Sequence, residues 1–197
     1  MKPRLYLVSR NAGKLREIEQ ILAPYAIEVE SIYDRYPLGE IEESGGSYAE
    51  NALLKARRGF AVTRHPCVGE DSGLEIDALG GAPGIYSARF GGAHLPFPAK
   101  MEEILKRLEH VPLRERSARF RCVVALVWEG GEKLFEGVCE GFIAETPQGE
   151  EGFGYDPIFV YPPFQKTFAQ LGPAIKNRYS HRAQAFRQCA KFIRETF

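Results

Sequence analysis

The sequence predicts a mixed α/β fold: a long, bent β-sheet flanked by helices. Three observations carry this reading. Leu5-Tyr6-Leu7-Val8 is a short apolar run, followed by a small polar turn and then by Leu15, Ile18 and Leu22 at helical spacing, which is a strand–turn–helix order. Two long β-type runs, Arg119 to Trp128 and Lys133 to Thr146, flank Glu129-Gly130-Gly131-Glu132, a hairpin signal that makes part of the sheet antiparallel. Hydrophobic residues make up 44% of the 197, enough for a substantial core and too many for a disordered chain. The length fits one domain over residues 1–197, with a deep cleft or two lobes.

Taken in order, the first turn is Ser9-Arg10-Asn11-Ala12-Gly13-Lys14. A turn that opens a helix aims backbone N–H groups and the helix dipole outward, which suits phosphate, and Lys14 adds a point charge. The glycine spacing fits neither a Walker A loop nor a dinucleotide fingerprint, and the plain alternative is an ordinary connection capped by Asn11. A strand is expected at Ile27-Glu28-Val29-Glu30, followed by the acidic and then flexible stretch from Glu40 to Ser47. Ser47 with Glu50 reads as a capping box opening a helix whose apolar face is Ala49, Ala52, Leu53, Ala56 and Phe60. Asn51 and Lys55, four apart, can reach one ligand, although alone they read as a solvated face.

The stretch from Val68 to Phe90 is the most unusual. Glu70 and Asp71 stand beside an expected Ser72-Gly73 turn, and adjacent acids there suit metal coordination or activation of a water. In isolation such a pair is more often an acidic surface loop. Leu74-Glu75-Ile76-Asp77 alternates as a strand, and Gly80-Gly81-Ala82-Pro83-Gly84 must be a tight, irregular turn. Met101, Ile104, Leu105 and Leu108 mark a helix that calls for packing and nothing more, and Gly137 and Gly141 read as bulges. In Phe153-Gly154-Tyr155-Asp156-Pro157 two aromatics flank a glycine, a pattern that can stack on a base or simply pack. Near the C-terminus Lys176, Arg178, Arg182, Arg187, Lys191 and Arg194 stand against one acid, Glu195, a local basic patch or a solvated basic helix. Ser180 is a natural N-cap there, so His181 and Arg182 fall in a first turn where the dipole disfavours cations and an anion or electron-rich base edge would be welcome.

Composition narrows the function. Lys plus Arg and Asp plus Glu are both 26, and a formal charge of zero weighs against a grip on long nucleic-acid backbones. Cys67, Cys122, Cys139 and Cys189 are far apart, so reduced thiols in a cytoplasmic protein are the simplest account and a zinc site is not expected. No signal peptide or membrane span is apparent. Together the motifs supply a phosphate cradle, acids for a cation (Glu42, Glu43, Asp71), a stacking aromatic (Phe153) and a second basic patch, the parts of a nucleoside triphosphate site.

In that order the motifs resemble the inosine triphosphate pyrophosphatase family, which hydrolyses non-canonical purine nucleoside triphosphates. The likeness spans nearly the whole chain. It rests on Ser9-x-Asn11-x-x-Lys14, Glu43-Ser44-Gly45 with Glu50-Asn51-Ala52-x-x-Lys55-Ala56, and Asp71-Ser72-Gly73-Leu74. It continues through Gly80 to Arg89, Gly152 to Phe159 and Ser180-His181-Arg182. The resemblance implies a long bent mixed sheet in two lobes with the active site in a cleft between them, a homodimer, Mg²⁺ dependence, and release of pyrophosphate.

By position it implies Asp71 as general base and metal-linked acid, Ser72 as a substrate contact, and Ser9, Arg10, Asn11, Ala12, Gly13, Lys14 and Lys176 on the triphosphate and sugar. Lys55 joins them as a lysine that neutralises the triphosphate, and Glu43 is preferred over Glu42 for the metal. Phe153, Gly154, Tyr155 and Asp156 match the base-binding loop, and His181 and Arg182 the pair that reads the 6-oxo group. The chain departs from the family pattern at Glu70, where Asp is common, at Ser9, where Thr is usual, and at Gln170, where Glu is usual. The rival readings are a pyrophosphatase aimed at modified pyrimidine nucleotides, and a non-enzymatic nucleotide sensor or nucleic-acid module using the C-terminal basic patch.

Overall fold

The computed structural model describes residues 3–196. Its strands are β1 (Arg4–Leu7), β2 (Glu28–Ser31), β3 (Cys67–Ile76), β4 (Ser117–Trp128), β5 (Gly131–Ile143), β6 (Phe159–Tyr161) and β7 (Lys166–Thr167). They form one mixed seven-stranded sheet in the order β2-β1-β3-β4-β5-β6-β7. β1 pairs in parallel with β2 and β3, whereas β6 pairs antiparallel with β5 and β7. The helices are α1 (Ala12–Leu22), α2 (Tyr48–Thr63), α3 (Phe97–Arg107), α4 (Phe168–Tyr179) and α5 (His181–Thr196). No helix among the described residues is long and apolar enough to cross a membrane.

The chain divides into two compact units. The first comprises Met1–Asp71, Cys122–Gly137 and His181–Phe197. Here β1 is apolar and buried from Leu5 to Leu7 because both of its sides are covered. Leu5 and Leu7 join Ile18, Leu22, Val68, Val124, Leu126, Phe186 and Ile193 on one side, while Tyr6 and Val8 join Ile32, Leu38 and Cys67 on the other. The second unit comprises Ser72–Arg121 and Val138–Ser180, with a core of Leu74, Ile76, Met101, Ile104, Phe120, Phe159 and Phe168.

Two expectations change. No turn interrupts Ser72-Gly73: β3 runs straight through Glu70 and Asp71, so the two acids lie on a strand and their side chains leave it on opposite faces. The buried face of α2 keeps Ala52 and Ala56 of the expected set but is rotated away from Ala49, Leu53 and Phe60, which are only half-buried. It carries Tyr48, Asn51, Ala52, Lys55, Ala56, Gly59 and Thr63, so Asn51 and Lys55 are inside rather than solvated. The cause is close packing. A Cβ on Gly69 would fall 2.1 Å from the Ala52 carbonyl oxygen, and one on Gly59 would meet Val8 and Cys67, so the helix approaches the sheet along its small residues.

Gly137 serves the same end beneath α5, where a Cβ would lie 2.1 Å from the carbonyl oxygen of His181, and Gly141 leaves room for Val160 and Phe159. The glycine turn is as irregular as expected, with positive φ at Gly80, Gly81 and Gly84. Caps are local. Asn11 accepts from the Lys14 N–H, and Ser47 accepts from the Glu50 N–H, but the Glu50 carboxylate reaches the Gly46 N–H instead of closing the box on Ser47. Gln170 completes a true capping box with Thr167, a task its amide carbonyl performs as well as a carboxylate would.

Replacing Gly69 with Ala is expected to lower stability by at least ~1–3 kcal/mol, the range for overpacking. Gly39→Ala, where an added Cβ meets nothing within 4 Å, should change stability by less than ~0.5 kcal/mol. Urea denaturation of the two variants checks the contrast.

Candidate active site

Asp71 is buried at the end of the first unit's share of β3 and faces α2. Asn51 Nδ2 donates to its Oδ2 at 3.0 Å, and Lys55 Nζ lies 3.8 Å from its Oδ1. The same ammonium is 2.7 Å from Glu43 Oε1, so one lysine bridges two carboxylates. The Asn51 Oδ1 in turn accepts from the Gly45 N–H at 2.9 Å. Burial pushes the Asp71 carboxyl above its ordinary value, and the attraction of Lys55 and Lys14 does not cancel it, which is the direction a general base needs. Lys55, Glu43 and Asp71 together carry an excess of negative charge. Two carboxylates converging on one point suit Mg²⁺, which takes one or two protein carboxylates and fills its remaining positions with water and phosphate oxygens. Glu42 is exposed and shares none of this geometry.

Glu70 leaves the strand on the other face and meets a different set of partners. It is 2% exposed, with Oε2 at 2.6 Å from Lys14 Nζ and Oε1 accepting from Arg182 Nε and Nη2 at 3.2 and 2.9 Å. Arg182 Nη1 donates to Glu17 Oε2 at 2.6 Å, and the Cys122 thiol points at Glu70 Oε1 from 3.4 Å. Burial alone would raise Glu70, but Arg182 and Lys14 overcome it and hold the carboxyl well below its ordinary value. Two cations and two carboxylates form a charge-balanced cluster, in which Lys14 remains partly accessible.

The turn before α1 is tied down at both ends. Ser9 Oγ accepts from the Asn11 N–H at 3.2 Å, Ser31 Oγ donates to the Ser9 carbonyl, and Arg10 donates to the Leu38 carbonyl while lying 4.0 Å over the Tyr33 ring. Asn11 and Ala12 are exposed, and Gly13 and Lys14 half-buried, so the helix N-terminus is open to an anion.

In the second unit Ser72 is half-buried and the aromatic loop has two roles. Tyr155 is buried, donates its hydroxyl to the Ser87 carbonyl at 2.8 Å and sets its ring edge-on to Phe97. Phe153 is the accessible ring, with Lys176 Nζ 4.4 Å from its centroid. Asp156 accepts from both the Phe153 N–H and Lys176 Nζ, and Gly154 follows in the left-handed region with φ of 68°. His181 and Arg182 begin α5 in the first unit, both buried, so the expected solvated basic patch is in part internal.

The sequence model of the Ham1 family matches residues 5–192. This chain belongs to the Ham1 family. Among curated relatives of the family, it is 42% identical to a dITP/XTP pyrophosphatase of Geobacillus kaustophilus (strain HTA426) over 92% of this chain and 89% of that one. It is also 42% identical to a dITP/XTP pyrophosphatase of Bacillus subtilis (strain 168) over 95% of each. Among solved Ham1 structures, that of a HAM1 protein from Coxiella burnetii superposes with a TM-score of 0.88 at 38% identity, covering 98% of this chain and all of that one. The family read from the six motifs and the mixed α/β fold are both borne out.

Two buried polar residues, Glu17 and Lys100, escaped the sequence reading, and a third, Asn51, was singled out without its role. Glu17 sits among helical apolar positions with no local mark of its role. Asn51 was visible only as the neighbour of Lys55, and small Ala52, Ala56 and Gly59 beside it were the signal that this face packs closely. Lys100, 1% exposed in a helix read as packing alone, donates to the Ala88 and Gly92 carbonyls and pins that loop.

Glu70→Gln is expected to cost about 3–5 kcal/mol at pH 7, because it strips the partner from buried Arg182 and half-buried Lys14. A depressed carboxyl contributes fully above its unfolded value of 4.5 and loses that contribution as pH falls toward the folded value. The gap between variant and wild type should therefore narrow below pH 4.5 in denaturation experiments, and a constant gap contradicts the pairing.

Proposed function

We propose that this protein hydrolyses the non-canonical purine nucleoside triphosphates ITP, dITP and XTP to the monophosphate and pyrophosphate. The convergence of Asp71, Asn51, Lys55 and Glu43 carries the reading. A water held by the Asp71 carboxylate attacks the α-phosphorus, its proton passes to Asp71, and the bond to the bridging oxygen breaks to release pyrophosphate. The raised carboxyl of Asp71 supports this role. Glu43 and Asp71 would hold Mg²⁺, which when bound neutralises phosphate charge and improves the leaving group. Lys55 and Lys14 supply positive charge to the phosphates, and the open turn from Ser9 to Lys14 supplies N–H donors.

Phe153 offers its ring to the base, with Gly154, Tyr155 and Asp156 fixing the loop, while Ser72 and Lys176 contact the sugar and phosphates. His181 and Arg182 read the 6-oxo edge. The support for Arg182 is that its guanidinium, held in place by two carboxylates, can only donate, so an adenine amino group there would face donor with donor at a cost of about 1–3 kcal/mol. The enzyme acts as a homodimer in the cytoplasm. The burial of Lys176, His181 and Arg182 weighs against the nucleic-acid reading, since a backbone grip needs exposed cations.

With Mg²⁺, dITP should yield dIMP and pyrophosphate, and dTTP and dUTP should be poor substrates. Asp71→Asn should lower kcat roughly 100- to 10,000-fold while nucleotide binding remains measurable. Orthophosphate as sole product, or equal turnover of dUTP, overturns the assignment. Product analysis across a nucleotide panel checks both.

A further inference from the structure

Asn51 is wholly buried, and its two hydrogen bonds run in opposite directions along the chain. Its Oδ1 faces the Gly45 N–H at 2.9 Å, and its Nδ2 faces Asp71 Oδ2 at 3.0 Å. The orientation of the amide is forced: a backbone N–H can only donate and an ionised carboxylate can only accept, so one partner fixes the oxygen and the other the nitrogen. Gly45 lies two residues beyond Glu43, and the same stretch is fastened to the start of α2 by Gly46 N–H to Glu50 and by the Ser47 cap. A side chain at Gly45 would break the contact, since its Cβ would lie 2.6 Å from Asn51 Oδ1 and 2.8 Å from Glu50 Cβ.

We infer that Asn51 is a positioning residue that couples the two acids of the site, registering the Glu43 loop against Asp71 and committing Asp71 Oδ2 so that Oδ1 is the oxygen presented toward Lys55. This rests on the proposed hydrolase reading, in which Asp71 is both base and cation ligand. A carboxylate whose one oxygen holds a donor cannot rotate to present the other without losing that bond in a buried site. The Glu43 loop has no regular structure from Gly39 to Ser44, so its placement depends on such ties. Asn51 thereby does for two separate segments what a hydrogen-bonded outer partner does for a metal ligand.

Three proteins test this: Asn51→Leu, which keeps the branched heavy-atom shape and removes both bonds, Gly45→Ala, which crowds the amide from the loop side, and the double variant. Mn²⁺ alone, without nucleotide, is titrated by electron paramagnetic resonance, and steady-state turnover of dITP is measured in parallel. The expected result for Asn51→Leu is a loss of roughly 10- to 100-fold in both Mn²⁺ affinity and kcat, the range for outer partners of metal ligands, with KM little changed. Gly45→Ala should fall in the same direction, and the double variant should be no worse than the poorer single one, because both cut one link. A purely structural Asn51 would lower only the melting temperature; wild-type Mn²⁺ affinity and kcat in a folded Asn51→Leu or Gly45→Ala overturn the inference, as does full additivity. Should Asn51→Leu fail to fold, Gly45→Ala, which leaves Asn51 and Asp71 in place, decides alone. If wild type releases no pyrophosphate from dITP yet loses Mn²⁺ affinity in these variants, the hydrolase reading fails and the coupling stands.

Discussion

The period of a β-strand is two residues, and in β3 that period decides what each of two adjacent carboxylates becomes. Glu70 and Asp71 are joined by one peptide bond yet make their hydrogen bonds and close ion pairs on opposite faces of the strand. Glu70 is turned toward α1 and α5, where Lys14, Arg182 and Glu17 close an internal ion-pair cluster. Asp71 is turned toward α2, where Asn51 and Lys55 engage it and Glu43 approaches from the loop. Burial raises Asp71, whereas neighbouring cations depress Glu70 despite its burial. Two adjacent carboxyls are thereby split into one held above its ordinary value and one held below it as a buried counter-ion.

Both environments depend on close approach of helix to sheet. Gly69, two residues before Asp71 on the same face, has no side chain because the Ala52 carbonyl occupies that space. With α2 so near, Asn51 and Lys55 span the remaining distance to Asp71, and Ala52, Ala56 and Gly59 supply the flat surface. Gly137 repeats the device under the first turn of α5, which carries His181 and Arg182 inward. Buried polar groups are costly unless satisfied, and here each of these lysines and arginines meets carboxylates at hydrogen-bonding distance.

Much of this was legible from residue order. The apolar run of β1, the helical spacing of α1 and the hairpin between β4 and β5 follow from pattern alone, and the family follows from six motifs in register. What escaped was direction. The face expected for α2 placed Ala52 and Ala56 correctly, but a hydrophobic-face argument left Asn51, Lys55 and Gly59 off it; close contact, not hydrophobicity, sets its edge. Ser72-Gly73 looked like a turn because both residues favour turns, but pairing with neighbouring strands overrode local preference. The basic C-terminal stretch looked solvated because its carboxylate partners, Glu17, Glu70 and Asp156, are distant in sequence. The second unit illustrates the same limit: Tyr155 and Phe153 are one residue from adjacent, and only their contacts separate a buried anchor from an accessible ring.

The division between Glu70 and Asp71 has a direct physical readout. Crystals grown with Mn²⁺ and a non-hydrolysable dITP analogue can be measured at the manganese absorption edge. An anomalous peak is expected within coordination distance of carboxylate oxygens of Asp71 and Glu43, with Glu70 still paired to Arg182. A peak coordinated by Glu70, or metal bound with Asp71 outside its coordination sphere, would contradict this division.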